Sequence, residues 1–129
     1  GYFGGTVGRR KPTNRKDNSM ATTPVSQSGV YTNTYTELPI SKEATTSRVL
    51  VNNDVLRHVM FTMDAGQVLT EHTSTRAVII NILEGRFRFT INGKDNEVVP
   101  GDVIYLAPND PHAVEALEPS RMSLTLVVV

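Results

Sequence analysis

The chain has 129 residues, a length that suits one domain around one hydrophobic core, and its 39% hydrophobic and 20% charged residues exclude a fibrous or wholly disordered protein. Cysteine is absent, which excludes a disulfide framework and any thiolate metal site; a bound metal would rest on imidazole, carboxylate, hydroxyl or water. Thirteen basic residues balance thirteen acidic ones, and no apolar run reaches the roughly 18 residues of a membrane span, so the sequence favours no membrane partner, makes nucleic acid a weak expectation and points to the cytoplasm.

Taken in chain order, residues 1–29 read as a basic N-terminal arm. Arg9, Arg10, Lys11, Arg15 and Lys16 stand against Asp17 alone, a local charge of +4 that leaves −4 on the remainder. Met20 suits a natural start, so residues 1–19 read as upstream sequence more readily than as a nucleic-acid tether. The arm is expected to pack on the body.

Residues 30–129 read as one β-barrel domain. Short β-branched or alternating runs are separated every eight to twelve residues by turn chemistry, the pattern of an all-β sandwich or barrel. Strands are expected at 47–51, 56–63, 67–72, 77–83, 86–91, 97–99, 103–107, 112–116 and 123–129, and no segment predicts a helix. Asn92-Gly93 is the most specific breaker, because both residues tolerate positive φ and suit a type I′ hairpin turn.

Alternation assigns some faces. Phe87, Phe89 and Ile91 oppose Arg86, Arg88 and Thr90, so that strand has a wet side. Residues 77–83 are apolar on both faces, with Val78, Ile80 and Ile82 opposing Ala77, Ile79, Asn81 and Leu83, which predicts cover on both faces. One cover is the barrel interior; the other is a second sheet, the arm or a second copy, and a homodimer is the expected answer.

Two of the three histidines stand in patterned surroundings. Gly66 leads to His72, Ser74 and Ala77 and on to Gly85; Gly101 leads through Ala107, Pro108 and Asn109 to His112 and Ala116. This resembles the two motifs of the cupin family, G-x5-H-x-H-x3-4-E-x6-G and G-x5-P-x-G-x2-H-x3-N, over residues 47 to 129. The resemblance implies a double-stranded β-helix, or jelly-roll, barrel of the single-domain RmlC-like kind. It also implies that His72 and His112 fill two of four metal-ligand positions, while Ser74 replaces a histidine and Ala77 the glutamate. Ala107, Asn109 and Ala116 depart from the second motif.

A catalytic ion usually wants three protein ligands and an open position, so two histidines make a weak site. The expected cofactor is therefore one divalent ion, Zn, Fe, Mn or Ni, or none. His58, Ser74, Asn81 and Tyr105 are the ligand-binding candidates, with Thr70 as a further inward polar group and Arg76 beside the mouth. The favoured function is binding of a small polar molecule in the barrel. The alternatives are a metal-dependent dioxygenase, lyase or isomerase using His72 and His112, and a metal-free acid/base isomerase of the histidine-plus-tyrosine kind that some cupin epimerases resemble.

Overall fold

The computed structural model describes residues 22–129. The expected packing of the basic arm concerns residues that lie mainly outside that range; the part within it, 22–29, is irregular and largely exposed.

Among the described residues nine strands follow one short helix: α1 Thr34–Glu37, β1 Thr45–Asn52, β2 Leu56–Met63, β3 Val68–His72, β4 Ala77–Glu84, β5 Phe87–Ile91, β6 Lys94–Val98, β7 Val103–Leu106, β8 His112–Ala116 and β9 Ser120–Val127. They form a five-stranded sheet, β1-β2-β9-β4-β7, facing a four-stranded sheet, β3-β8-β5-β6, and every pairing is antiparallel. The expected all-β jelly roll is the observed fold. The unexpected helix is a single turn, too short for a 3.6-residue periodicity to register.

Turn chemistry set most boundaries. Asn92 and Gly93 take φ of 50° and 80°, the type I′ conformation, and bring Ile91 opposite Lys94. That hairpin extends β6 back to the polar Lys94-Asp95-Asn96, where side-chain pattern alone shows no strand. β9 starts at Ser120 instead of 123 because Ser120 and Arg121 pair with Met63 and Thr62.

The core lies between the sheets. Phe87, Phe89, Val78, Ile80, Ile82, Met63, Leu106, Val114 and Met122 meet there, as the alternation in β4 and β5 requires. The barrel has a closed and an open end. At the closed end Met63 pairs with Ser120, and Met63, Phe87 and Ala116 are fully buried. Gly85 turns there at φ 78°, and a β-carbon would land on the Ser120 hydroxyl and the Pro119 carbonyl. At the open end, the short 73–76 and 107–111 loops bring His72 and His112 beside the ends of β4 and β7, and the Asn109 amide donates to the Ser74 carbonyl at 2.7 Å.

Among the described residues, one half of the outer face of the five-stranded sheet is covered. Leu38, just past α1, is buried there with Met60 and Arg121; the Arg121 guanidinium donates to the Leu38 carbonyl (2.8 Å), to Met60 Sδ (3.4 Å) and to Glu84 (2.5 Å) and lies 4.1 Å from the Tyr35 ring centre. Over the other half Ile79, Val103 and Tyr105 remain 37%, 60% and 59% exposed. Among the described residues no helix is long and apolar enough to cross a membrane.

Candidate functional site

The open end leads into a cavity of about 320 Å³. β2 contributes Arg57, Val59 and Phe61; β9 contributes Met122, Leu124 and Leu126; His72, Ser74 and His112 come from the facing side. Apolar side chains dominate the wall, and the polar exceptions are Ser47, Arg57, His72, Ser74 and His112.

The histidine pair is built by the pairing of β3 with β8. His72 and His112 are direct cross-strand partners, and their ring centres lie 4.2 Å apart at an interplanar angle of 62°. A carbonyl oxygen only accepts, so each ring's Nδ1 donates: His72 to Thr70 O at 2.7 Å, His112 to Asp110 O at 3.0 Å. In the neutral rings both Nε2 atoms therefore keep the lone pair, free to accept a proton, a hydrogen bond or a cation. His112 is buried whereas His72 is exposed, so the pair straddles the rim. Ser74 Oγ accepts the Arg76 amide at 3.1 Å, which leaves its own proton for a guest.

Of the expected ligand-binding residues, the structure brings Ser74 to the cavity beside His72 and His112, and not His58, Asn81 or Tyr105. His58 lies on the outer face of β2, its Nδ1 2.8 Å from Thr125 Oγ1, and its desolvation holds its pKa below the usual 6.5. Asn81 and Tyr105 share that outer face, because Val78, Ile80 and Ile82 of β4, with Ile104 and Leu106 of β7, take the inner positions. Thr70 is displaced by the β-bulge between Leu69 and His72 and turns outward. Arg76 is not part of the cavity wall.

One motif position also needs correction. With six residues between it and Gly85, the glutamate position falls on Val78, not Ala77, and the structure agrees: Val78 lines the cavity while Ala77 is on the outer face. The change of residue keeps the chemistry, since valine supplies no ligand either. Asn109, at the motif's glycine position, holds φ 70° and meets the same backbone demand.

The donor set at the family's metal position is thus two imidazoles, one hydroxyl and a valine. No group of three His, Cys, Asp or Glu converges among the described residues. This set does not fit an ion held by three protein ligands.

Arg57 is the cavity residue without a role in the sequence reading. Alternation in β2 separated Arg57, Val59, Phe61 and Met63 from Leu56, His58, Met60 and Thr62 without saying which set is internal. The available signal was the unbroken apolar run Val59, Phe61, Met63 behind Arg57, against an opposite face interrupted by His58 and Thr62.

Comparison with known proteins follows the same outline. A conserved protein of unknown function from Streptococcus pyogenes superposes with a TM-score of 0.73 at 28% identity, over 87% of this chain and 98% of that one. A cupin superfamily protein from Desulfitobacterium hafniense DCB-2 gives 0.72 at 16% identity, over 87% and 100%. A cupin 2 conserved barrel domain protein from Leptotrichia buccalis gives 0.66 at 28%, over 68% and 43%. No curated protein matches the sequence. The Cupin_2 model, described as a cupin domain, matches residues 59–129, from the first inner residue of β2 after Arg57 through both histidines to the last residue, and the chain belongs to the cupin family.

Proposed function

We propose that the barrel binds one small organic molecule with a largely apolar body, and that it does so without a resident catalytic metal. The observation that carries this reading is the wall: a 320 Å³ cavity of hydrocarbon with its few polar groups at Arg57, Ser47, Ser74 and the two histidines. Binding sites of this size are characteristically apolar with a few placed polar groups. The guest is therefore amphipathic, which narrows the small polar molecule expected from sequence.

A metal-dependent enzyme is the second reading, and one observation favours it. Both Nδ1 atoms are tied to backbone carbonyls, the arrangement that orients imidazoles toward an ion through Nε2. Metal analysis of protein prepared without a histidine tag separates the two. The first reading expects substoichiometric first-row metal, unchanged in His72→Ala; one equivalent of Fe, Mn, Ni or Zn that disappears in His72→Ala and His112→Ala would overturn it. For acid/base isomerisation the histidines stand ready, but Tyr105 on the outer face is no partner for them.

The exposed Ile79, Val103 and Tyr105 support a homodimer through the outer face of β4 and β7. Sedimentation velocity is expected to show a dimer that Tyr105→Asp dissociates; a concentration-independent monomer would remove the proposal. Assignment to the cytoplasm stays with this reading of a cysteine-free chain.

A further inference from the structure

Six arginines fall among the described residues, and four of them are paired with carboxylates: Arg48 with Glu37, Arg86 with Glu97 and Glu118, Arg88 with Glu115 and Arg121 with Glu84. Arg57 and Arg76 are not. Arg57 is the one that lines the cavity, half-buried at the mouth end of β2, where its backbone pairs with Asn52 and Leu126. Its Nε donates to the neutral Asn52 Oδ1 at 3.3 Å, and no carboxylate of the described residues lies within 4 Å of its guanidinium.

A guanidinium cannot shed its charge, and placing it against Val59, Leu124 and Leu126 removes water that would otherwise solvate it. Anchored through Nε alone, it keeps both terminal nitrogens for a planar two-oxygen acceptor, the geometry a carboxylate fits with two parallel bonds. The remainder of the wall is hydrocarbon broken by Ser47, Ser74 and the two histidines, with no second arginine or lysine, so one negative charge and an apolar body match it.

We infer that the guest of the cavity is an amphipathic organic monoanion, a carboxylate on an aromatic or branched aliphatic body, with its carboxylate on Arg57 and its body against the β2 and β9 wall. This rests on the reading of the barrel as a small-molecule site. Arg57 is the specificity-determining residue, and the histidines with Ser74 contact whatever lies at the other polar edge of the guest.

The test uses 3-phenylpropionate and its neutral isostere 3-phenylpropionamide, titrated calorimetrically into the full chain, with NMR shifts of Val59 and Leu124 methyls reporting position. The carboxylate is expected to bind at least about tenfold more tightly than the amide, the worth of a charge-assisted bond, and to shift those methyls. Arg57→Gln is expected to abolish the preference while the amide binds as before. Arg57→Lys, which keeps the charge and loses the fork, is expected to reduce the preference at least about threefold, and it carries the test if the Gln variant fails to fold. Equal affinities in the wild type, a preference that survives Arg57→Gln, or one left undiminished by Arg57→Lys, would overturn the anion inference and leave the small-molecule reading standing. If neither probe perturbs the cavity methyls, both fall.

Discussion

The two ends of the barrel are made from the same strands and obey different rules. At the closed end, side chains fill the space: Met63, Phe87 and Ala116 are fully buried, and Ser120 Oγ ties Glu118 to Arg86 by donating to the Glu118 carbonyl (2.6 Å) and accepting the Arg86 amide (2.9 Å). At the open end the same strands run out into a cavity, and the residues there are Arg57, His72, Ser74 and His112. Close packing and satisfied hydrogen bonds make the closed end a source of stability, whereas the open end leaves contacts unmade that a guest can make.

Substitutions at the closed end should cost most. Phe87→Ala removes a fully buried ring that contacts Phe89 edge-on, with centres 6.0 Å apart, and leaves a void that the surrounding strands cannot close; a loss of about 3–5 kcal/mol in urea unfolding is expected. A loss below about 1 kcal/mol would mean that the base repacks and that the contrast between the ends is weaker than the burial implies.

Gly85→Ala comes next. An L-residue at φ 78° costs roughly 1–2 kcal/mol, and the added β-carbon meets the Pro119 carbonyl and Ser120, whose hydroxyl is held by the Glu118 carbonyl and the Arg86 amide. Together a loss of about 2–4 kcal/mol is expected, read in the same unfolding assay. An unchanged midpoint would show that the Pro119–Ser120 corner yields.

The closed end was also the legible end. Phe87 stands between Arg86 and Arg88, so the inner face of β5 at this end follows from alternation, while the Asn92-Gly93 turn at the other end of β5, where Ile91 pairs with His112, specifies the pairing with β6. β2 and β8 begin and end where the pattern placed them, at Leu56–Met63 and His112–Ala116. The open end was legible only in part. His72, Ser74 and His112 met there because motif spacing placed them. Arg57 was missed because β2 is half apolar on both faces, and a one-residue change of parity exchanges Arg57 for His58. That ambiguity arises from tertiary cover: Leu38 and Tyr35 bury part of the outer face, so apolar residues such as Met60 are as favourable outside as Phe61 is inside.

Removing a rim histidine tests the other half of the contrast. His112→Ala deletes a ring that borders an existing cavity, so no new void is sealed, and water can reach the Asp110 carbonyl it leaves. A stability loss of about 1 kcal/mol or less is expected, the net worth of one hydrogen bond, and His72→Ala at the exposed position should lie within about 0.5 kcal/mol of wild type. If His112→Ala destabilises as strongly as Phe87→Ala, the histidine pair is a structural clamp and the open end loses its claim to be the functional one.

His58 gives the smallest effect and the only one that depends on pH. It sits at the open-end half of β2 but on the outer face, and desolvation holds its folded pKa below 6.5. Above 6.5 the imidazole is neutral in both folded and unfolded chains and contributes no pH dependence. As pH falls through 6.5 the unfolded chain takes up a proton first, so stability declines until the folded ring also protonates at its lower pKa. Melting temperature is therefore expected to fall between about pH 7.5 and 5, and His58→Gln, which keeps a polar side chain opposite Thr125, should make the fall shallower. A His58→Gln melting curve with the same pH slope as wild type would show that His58 does not carry the acid sensitivity and that its burial on the outer wall leaves stability independent of its charge.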